Sequence, residues 1–431
     1  MSEPLRIAIA GLGTVGAATG ALLRSDAELL ARRAGRPLML CAVSARDRAK
    51  PRGFALDGVE WFADPVAMAR QARADVVVEL IGGSDGPARA TVETALGAGR
   101  HVVTANKALL AHHGNALARQ AEASGLVLAY EAAVAGGIPI IKALREGLAA
   151  NDLTRVYGIL NGTCNYILTT MRESGREFDD VLAEAQRLGY AEADPSFDVD
   201  GVDAAHKLSI LAAVAFGAAI DFGALRIEGI RHVSAADIAY ADELGYRIKL
   251  LGIAHRSDIG LEQRVQPCMV PVGSPIAHVD GVFNAVVAEG SAVGMSFYQG
   301  RGAGAGPTAS AVVADLIDLA RGHRVATFNQ PAASLKPLTA APSGRHRGAH
   351  YIRLMVVDRP GVIADVAAAL RDEQVSLESM LQRGRRPDEA VPVVLTTHET
   401  EEGALERALA RIEKLDSVVE PPRVIRIIEA L

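Results

Sequence analysis

The sequence predicts an α/β chain of three units: an open parallel sheet with helices on both faces, an α+β unit with a mixed sheet, and a ferredoxin-like βαββαβ module. Three observations carry this. Through the first third, the short apolar runs "RIAIAG", "LMLCAV", "DVVVELIG", "HVVTAN" and "LVLAYEAAV" alternate with helix-length segments. Strands apolar on both faces belong to buried parallel sheets. From about residue 151 the texture changes: a long apolar helix, "VDAAHKLSILAAVAFGAAI", precedes alternating segments such as "RIEGI", "IKLLGIAHR", "LEQRVQPCMV", "NAVVAEG" and "MSFYQG". The last stretch runs strand "YIRLMVV", turn "DRPG", helix "VIADVAAALRDEQ", strands "SLESMLQ" and "VPVVLTTH", helix "EGALERALARIEKL" and strand "VIRIIEAL".

The expected boundaries are 1–150, 151–321 and 349–431, with 322–348, rich in Pro, Ala and Ser and without periodicity, as a linker. A glycine-rich turn, "GRGAGAGPTAS", opens a helix over 307–321 that is placed to return to the first unit. At 431 residues, two or three domains are expected. A net charge of -6 with both signs interspersed gives no large basic field, which argues against nucleic acid or an anionic membrane as partner. No secretory leader and no membrane-length apolar run are present, so a soluble, cytoplasmic chain is expected. The three cysteines, Cys41, Cys164 and Cys268, have no C-x-x-C spacing and imply neither a disulfide framework nor a zinc site.

"IAIAGLGTVGAATGALL" sets Gly11, Gly13 and Gly16 in G-x-G-x-x-G spacing directly after a strand and at the start of a helix. The glycines serve a tight turn, backbone approach to a pyrophosphate and close helix–strand contact, with the helix N-terminus favouring the anion. Gly11, Gly13, Thr14, Val15 and Gly16 are therefore the candidate cofactor residues of a Rossmann-type unit. The second strand ends "CAVSARDRAK", with Arg46 and its basic neighbours where an acid would hold a ribose 2′-hydroxyl. That favours NADP(H), with NAD(H) open because Asp47 competes.

"YAEADPSFDVDGVDAAHKLSIL" packs Glu192, Asp194, Asp198, Asp200 and Asp203 ahead of Lys207. It nearly fits a calcium loop from Ser196 but has Lys207 where a bidentate Glu is required. Asp203 and Lys207 are one helical turn apart and share a face. Their bland reading is an exposed ion pair with Asp200 as N-cap. The apolar continuation of the helix instead argues for a charged first turn facing a cleft. Lys107, immediately after the fourth strand, belongs at the carboxyl edge of the sheet where ligands bind, its bland reading being a solvated lysine at a helix start. Asp194 and Asp198 read as turn formers.

The motifs "GLGTVG", "TANKALL", "YEAAVAGGIPI", "GILNGTCNYIL", "LGYAEADPSFDVDGVDAAHKLSIL" and "PTASAVVADL" together resemble homoserine dehydrogenase over residues 5 to about 321. "DRPGVIADVAAAL" resembles the ACT domain appended to many of its members, and the chain resembles the monofunctional form. The resemblance implies reversible reduction of L-aspartate 4-semialdehyde to L-homoserine by NADPH or NADH. It implies Lys207 as proton donor, Lys107 as a second lysine beside cofactor and substrate, and Glu192 and Asp203 as substrate holders. It places Gly189 and Gly304 at the cofactor, with Gly302 and Gly306 as alternatives to Gly304. It further implies a structural Na+ (or K+) ion at Glu131, Val134, Gly136 and Ile138, a homodimer or homotetramer, and L-threonine feedback through the ACT domain, where Gly361 in "DRPGVI" sits at a strand-to-helix turn; the alternative is a scaffold for dimer contacts with no ligand. Cys164 reads as a small buried residue, the alternative being a catalytic thiol. Two rival functions stand beside this one: another Rossmann semialdehyde or imine reductase of amino-acid metabolism, and a noncatalytic NADPH-binding amino-acid sensor.

Overall fold

The computed structural model describes residues 3–383 and 389–428. β1 (Leu5–Ala10), β2 (Leu38–Ser44), β3 (Glu60–Phe62), β4 (Val76–Glu79), β5 (His101–Thr104) and β6 (Leu128–Ala129) form a parallel sheet in the order β3-β2-β1-β4-β5-β6. Alternate residues feed two cores. Ile7, Ile9, Val76 and Val78 pack with Val312, Leu316 and Leu319 of the helix Ala305–Ala320. Ala8, Ala10 and Val77 pack with Val92, Leu96, Leu109 and Leu117 on the other face. The order reverses between β1 and β4, which opens a crevice beyond their carboxyl ends. β3 is an edge strand of three residues that no apolar run announces.

The second sheet begins with β7 (Leu153–Ile159), β8 (Arg226–Ile227), β9 (Tyr246–Ser257), β10 (Gly260–Pro271), β11 (Phe283–Gly290) and β12 (Gly294–Arg301). The C-terminal module contributes β13 (Arg347–Val357), β14 (Leu377–Gln382), β15 (Ala390–Thr397), β16 (Thr400–Glu401) and β17 (Arg423–Ile427). These units do not form separate sheets. β17 pairs with β13 on one side and, in parallel, with β10 on the other, through Cys268 opposite Arg426 and Met269 opposite Ile427. One continuous sheet results, in the order β12-β11-β7-β9-β10-β17-β13-β15-β14, with β8 on β10 and β16 on β13.

Charged groups lock this seam. Glu262 receives Arg426 Nη1 at 2.7 Å and lies 3.3 Å from His346 Nδ1, while Arg264 Nη2 reaches Glu402 at 3.1 Å. Burial alone would raise the Glu262 carboxyl; His346, Arg426 and Arg264 reverse this and hold it well below the usual range. Residues 322–348 lack long regular elements yet are packed: Phe328 is fully buried, the Tyr130 hydroxyl donates to the Thr327 carbonyl, and Leu261 N–H donates to Thr339 at 2.8 Å. The segment is a strap across both larger units.

The acidic stretch folds as one turn, Ser196–Val199, followed by the helix Val202–Phe216. Gly201, at φ +84, is the N-cap in place of Asp200, whose carboxylate bonds Arg231 instead. From Asp203 onward every residue of this helix is buried. Its length therefore reflects tertiary packing of a helix buried on all sides. Among the described residues no helix is long and apolar enough to cross a membrane.

Candidate active site

The turn after β1 assigns each glycine a separate physical reason. At Gly11 the backbone is left-handed, φ +96, and a Cβ would lie 2.6 Å from the Leu80 carbonyl oxygen. At Gly16 a Cβ would lie 1.9 Å from the Gly11 oxygen, so helix and turn touch backbone to backbone. At Gly13 nothing lies within 4 Å. That open face, with exposed Thr14 and half-buried Val15 in the first turn of the helix Thr14–Ser25, suits a pyrophosphate against free N–H groups. Beyond β2, Arg46 is exposed, while Asp47 accepts the Ala49 N–H at 2.8 Å and is spent on its own turn.

A cleft of about 420 Å³ lies between the parallel unit and the second sheet, lined among others by Lys107, Asp203, Lys207, Gly189 and Gly304. Asp203 is its centre. Lys207 Nζ meets Asp203 Oδ2 at 2.7 Å, Lys107 Nζ meets Oδ1 at 3.1 Å, and Asn161 Nδ2 donates to Oδ2 at 2.8 Å. Lys207 also donates to the Leu160 carbonyl at 2.7 Å. Burial opposes charge on Asp203, but Lys207 and Lys107 more than offset that, and the carboxyl sits well below its ordinary range. The two lysines come from different units, so the cleft forms only when both are folded and docked.

The remaining expected residues fall as follows. Gly189, at φ +76, and both Gly302 and Gly304 line the cleft; Gly306 is not among its lining residues. Glu192 is exposed and does not line it, although Tyr190 two residues earlier does. Asp194 accepts the Ser196 N–H at 3.1 Å, as a turn former. Asp198 departs from that expectation: it lines the cleft and accepts Asn161 Nδ2 at 2.8 Å. Cys164 is fully buried, its thiol is pushed well above the ordinary value by burial, and its Sγ lies 3.2 Å from the Asp198 carbonyl. A thiol so buried is no nucleophile. Glu131 is buried, with Oε1 and Oε2 each 2.9 Å from the N–H of Ile141 and Lys142. Val134, Gly136 and Ile138 follow it in a turn with φ +52 at Ala135 and +37 at Gly136.

Two groups of functional weight escaped sequence reasoning. Asn161 joins Asp203 to Asp198 and caps the helix Gly162–Ser174 through the Cys164 N–H at 2.8 Å. Glu79, fully buried at the end of β4, accepts the N–H of Ile81 at 2.7 Å and of Gly82 at 3.1 Å, and the Thr104 hydroxyl at 2.6 Å. Thr104 in turn accepts the Asn106 N–H, and Asn106 bonds Gly83 O at 2.7 Å and caps Leu109 N–H. This chain fixes the loop after β4 to the start of the Lys107 helix. A charged residue inside the apolar run "DVVVELIG" was the available signal, since a buried carboxylate requires dedicated donors.

Comparison with known families decides the identity. Residues 139–317 match the family described as homoserine dehydrogenase, residues 11–131 its NAD binding domain, and residues 350–417 the ACT domain. The chain is 46% identical over 430 residues to the homoserine dehydrogenase of Neisseria gonorrhoeae, covering 98% of each. It is 48% identical over 434 residues to that of Pseudomonas aeruginosa, covering 99% of each. The chain belongs to the homoserine dehydrogenase family. A crystal structure of a homoserine dehydrogenase from Thiobacillus denitrificans aligns with TM-score 0.92 at 47% identity, covering 99% of this chain and 98% of that one. A hyperthermophilic archaeal homoserine dehydrogenase in complex with NADPH aligns with TM-score 0.63 at 27% identity, over 75% of this chain and 99% of that one. As a homoserine dehydrogenase, it is a nicotinamide-dependent oxidoreductase of a CH–OH group, interconverting L-aspartate 4-semialdehyde and L-homoserine.

Proposed function

We propose that Lys207 is the proton donor of this reaction and that Asp203 aims it. The carrying observation is the hydrogen-bond count on Lys207. An ammonium has three donors; two are held by Asp203 and Leu160, which leaves the third for a substrate oxygen in the cleft. A nicotinamide held on the Gly11–Gly16 turn would supply the hydride, and Lys207 gives its free proton to the oxygen that becomes an alcohol. Lys107, fixed by the same carboxylate, adds a second positive charge beside the developing alkoxide, where preorganised charge contributes most to rate. Both Asp203 oxygens are engaged, so its part is to orient the lysines. The substrate ammonium is left to Asp198, which lines the cleft, with Glu192, on the exposed loop beside Tyr190, as the second acid of this reading. Asp198→Asn and Glu192→Gln should each raise KM for homoserine, and an unchanged KM in both would remove this part of the reading.

The cofactor is held by the Gly11–Gly16 turn and by Gly189 and Gly304 at the cleft edge, with NADP(H) preferred over NAD(H). Support comes from exposed Arg46 after β2 and from Asp47, which is already bonded within its turn. Turnover of homoserine with each cofactor in turn, before and after Arg46→Glu, tests it: the variant should lose preference for the phosphorylated form.

Three further assignments follow from the family. A Na+ or K+ ion would be held at Glu131, Val134, Gly136 and Ile138; hard oxygen donors suit such an ion. The Glu131 carboxyl, pushed up to about 7 by burial and by neighbouring Asp315, is a place where added positive charge is favourable. Dependence of the melting temperature on Na+ at constant ionic strength tests this. The ACT module would take L-threonine as a feedback inhibitor near Gly361, and assay of the full chain across threonine concentrations tests that. The assembly would be a homodimer or homotetramer in the cytoplasm, which light scattering on the purified chain addresses for oligomeric state.

A further inference from the structure

We infer that Glu122 is a positioning residue for the two cleft lysines, acting from the far end of the helix that Lys107 opens. That helix, Lys107–Ala123, starts in the cleft and ends against the strap. Glu122 Oε1 accepts the Thr327 N–H at 2.9 Å and Oε2 the Ala332 N–H at 2.6 Å, both from buried strap residues. Between them Phe328 turns inward. Its ring centroid lies 5.7 Å from that of Tyr130, and its tip would be 3.2 Å from a Cβ at Gly114 of the same helix. One carboxylate thus staples a buried stretch of the strap to the Lys107 helix.

The strap grips the Asp203–Lys207 helix as well. Gly217, the left-handed C-cap of Val202–Phe216 at φ +58, packs against Gln330, whose Nε2 would lie 2.5 Å from a Cβ there. Two residues on, the Ala219 N–H donates to the Lys336 carbonyl at 3.0 Å. Asn115 of the Lys107 helix closes the frame: its Nδ2 donates to the Ile220 carbonyl and its Oδ1 accepts the Ile220 N–H, each at 2.9 Å. Each helix therefore has its first turn in the cleft and its last turn on the strap. The Lys107 helix spans about 25 Å, so a tilt of about 2–3° at the strap moves its cleft end by about 1 Å. Misplacing a reacting-site group by that much costs up to about 100-fold in rate. The strap then runs on into β13, which joins the C-terminal module to this clamp. The inference rests on the reading of Lys207 as proton donor.

The test is steady-state kinetics of homoserine oxidation by the full chain and by its Glu122→Gln and Glu122→Ala variants, with NADPH affinity from cofactor fluorescence and the melting temperature of each. Glutamine keeps one acceptor oxygen and alanine none. The value of kcat should therefore fall about 3- to 10-fold in Glu122→Gln and about 10- to 100-fold in Glu122→Ala. NADPH affinity should stay within about twofold in both, because the Gly11–Gly16 turn follows β1 and not this helix. A purely structural role predicts a lower melting temperature with kcat per folded chain intact, and that result overturns the assignment. So does a loss of NADPH affinity as large as the loss of kcat, which would place the damage in the cofactor unit as a whole. Should Glu122→Ala not fold, Glu122→Gln decides by the same readouts. If Lys207→Ala keeps its turnover, the reading of the cleft itself fails, an outcome separate from anything Glu122 does.

Discussion

Asp203 holds two lysines from two different units, with Lys207 2.7 Å from one carboxylate oxygen and Lys107 3.1 Å from the other. A single buried charge therefore ties the docking of the units to the placement of the proton donor.

Removing Lys207 should remove chemistry and spare cofactor binding. Lys207→Ala is expected to lower kcat by roughly two to four orders of magnitude, the combined range for general acid and electrostatic assistance. NADPH affinity, followed by the fluorescence of the reduced cofactor, should stay near that of the parent chain. An unchanged kcat would remove the assignment.

Asp203→Asn should be more damaging to the fold than Lys207→Met. The first leaves the buried Lys207 ammonium without its counter-charge beside the partly exposed Lys107, with a cost of about 3–5 kcal/mol typical of an orphaned buried charge. The sign with pH also follows. A carboxyl depressed in the folded state contributes stability above its unfolded value, near 4, and that contribution is lost as pH falls further. Urea titrations of parent and variant at neutral and acid pH would show the difference shrinking in acid.

His206 and His350 should make the chain acid-labile in a higher window. Burial first, then His112 for one and Arg426 for the other, lowers both imidazoles to about 4. The folded state therefore binds fewer protons than the unfolded one between about 4 and 6.5, and stability declines as pH drops through that interval. Melting curves across it should be steep for the parent and flatter for His206→Gln.

Glu79→Gln should act on the cleft from a distance. Glutamine replaces one acceptor oxygen by a donor facing the Ile81 and Gly82 N–H groups or the Thr104 hydroxyl. The loop after β4 and the start of the Lys107 helix should both shift. The expected result is a lower kcat together with a higher KM for the cofactor, while Thr104→Ser, which keeps the hydroxyl, should be nearly silent.

Much of this was legible because the signals are local. The parallel strands announce themselves as apolar on both faces, the glycine turn by its spacing, and Asp203 with Lys207 by their position one helical turn apart. What was not legible depends on contacts far along the chain. Asp198 reads as a turn former until Asn161 arrives beside it, and Asp200 as a cap until Gly201 takes that place and Arg231 bonds the acid. Glu192 has the right residue type in the right motif, but its exposure is a property of how the loop turns after Tyr190. The merger of two sheets at β10 and β17 was likewise invisible, because a strand's sequence does not say whether one edge or both will be paired.

That merger has a consequence for how the chain is made. Met269 waits in the interior for Ile427, a strand that emerges from the ribosome only after an entire further module has been synthesised. The half-finished sheet must persist with an open flank, the kind of unpaired edge that recruits wrong partners. Nascent chains arrested before β17 should depend on chaperones far more than completed ones.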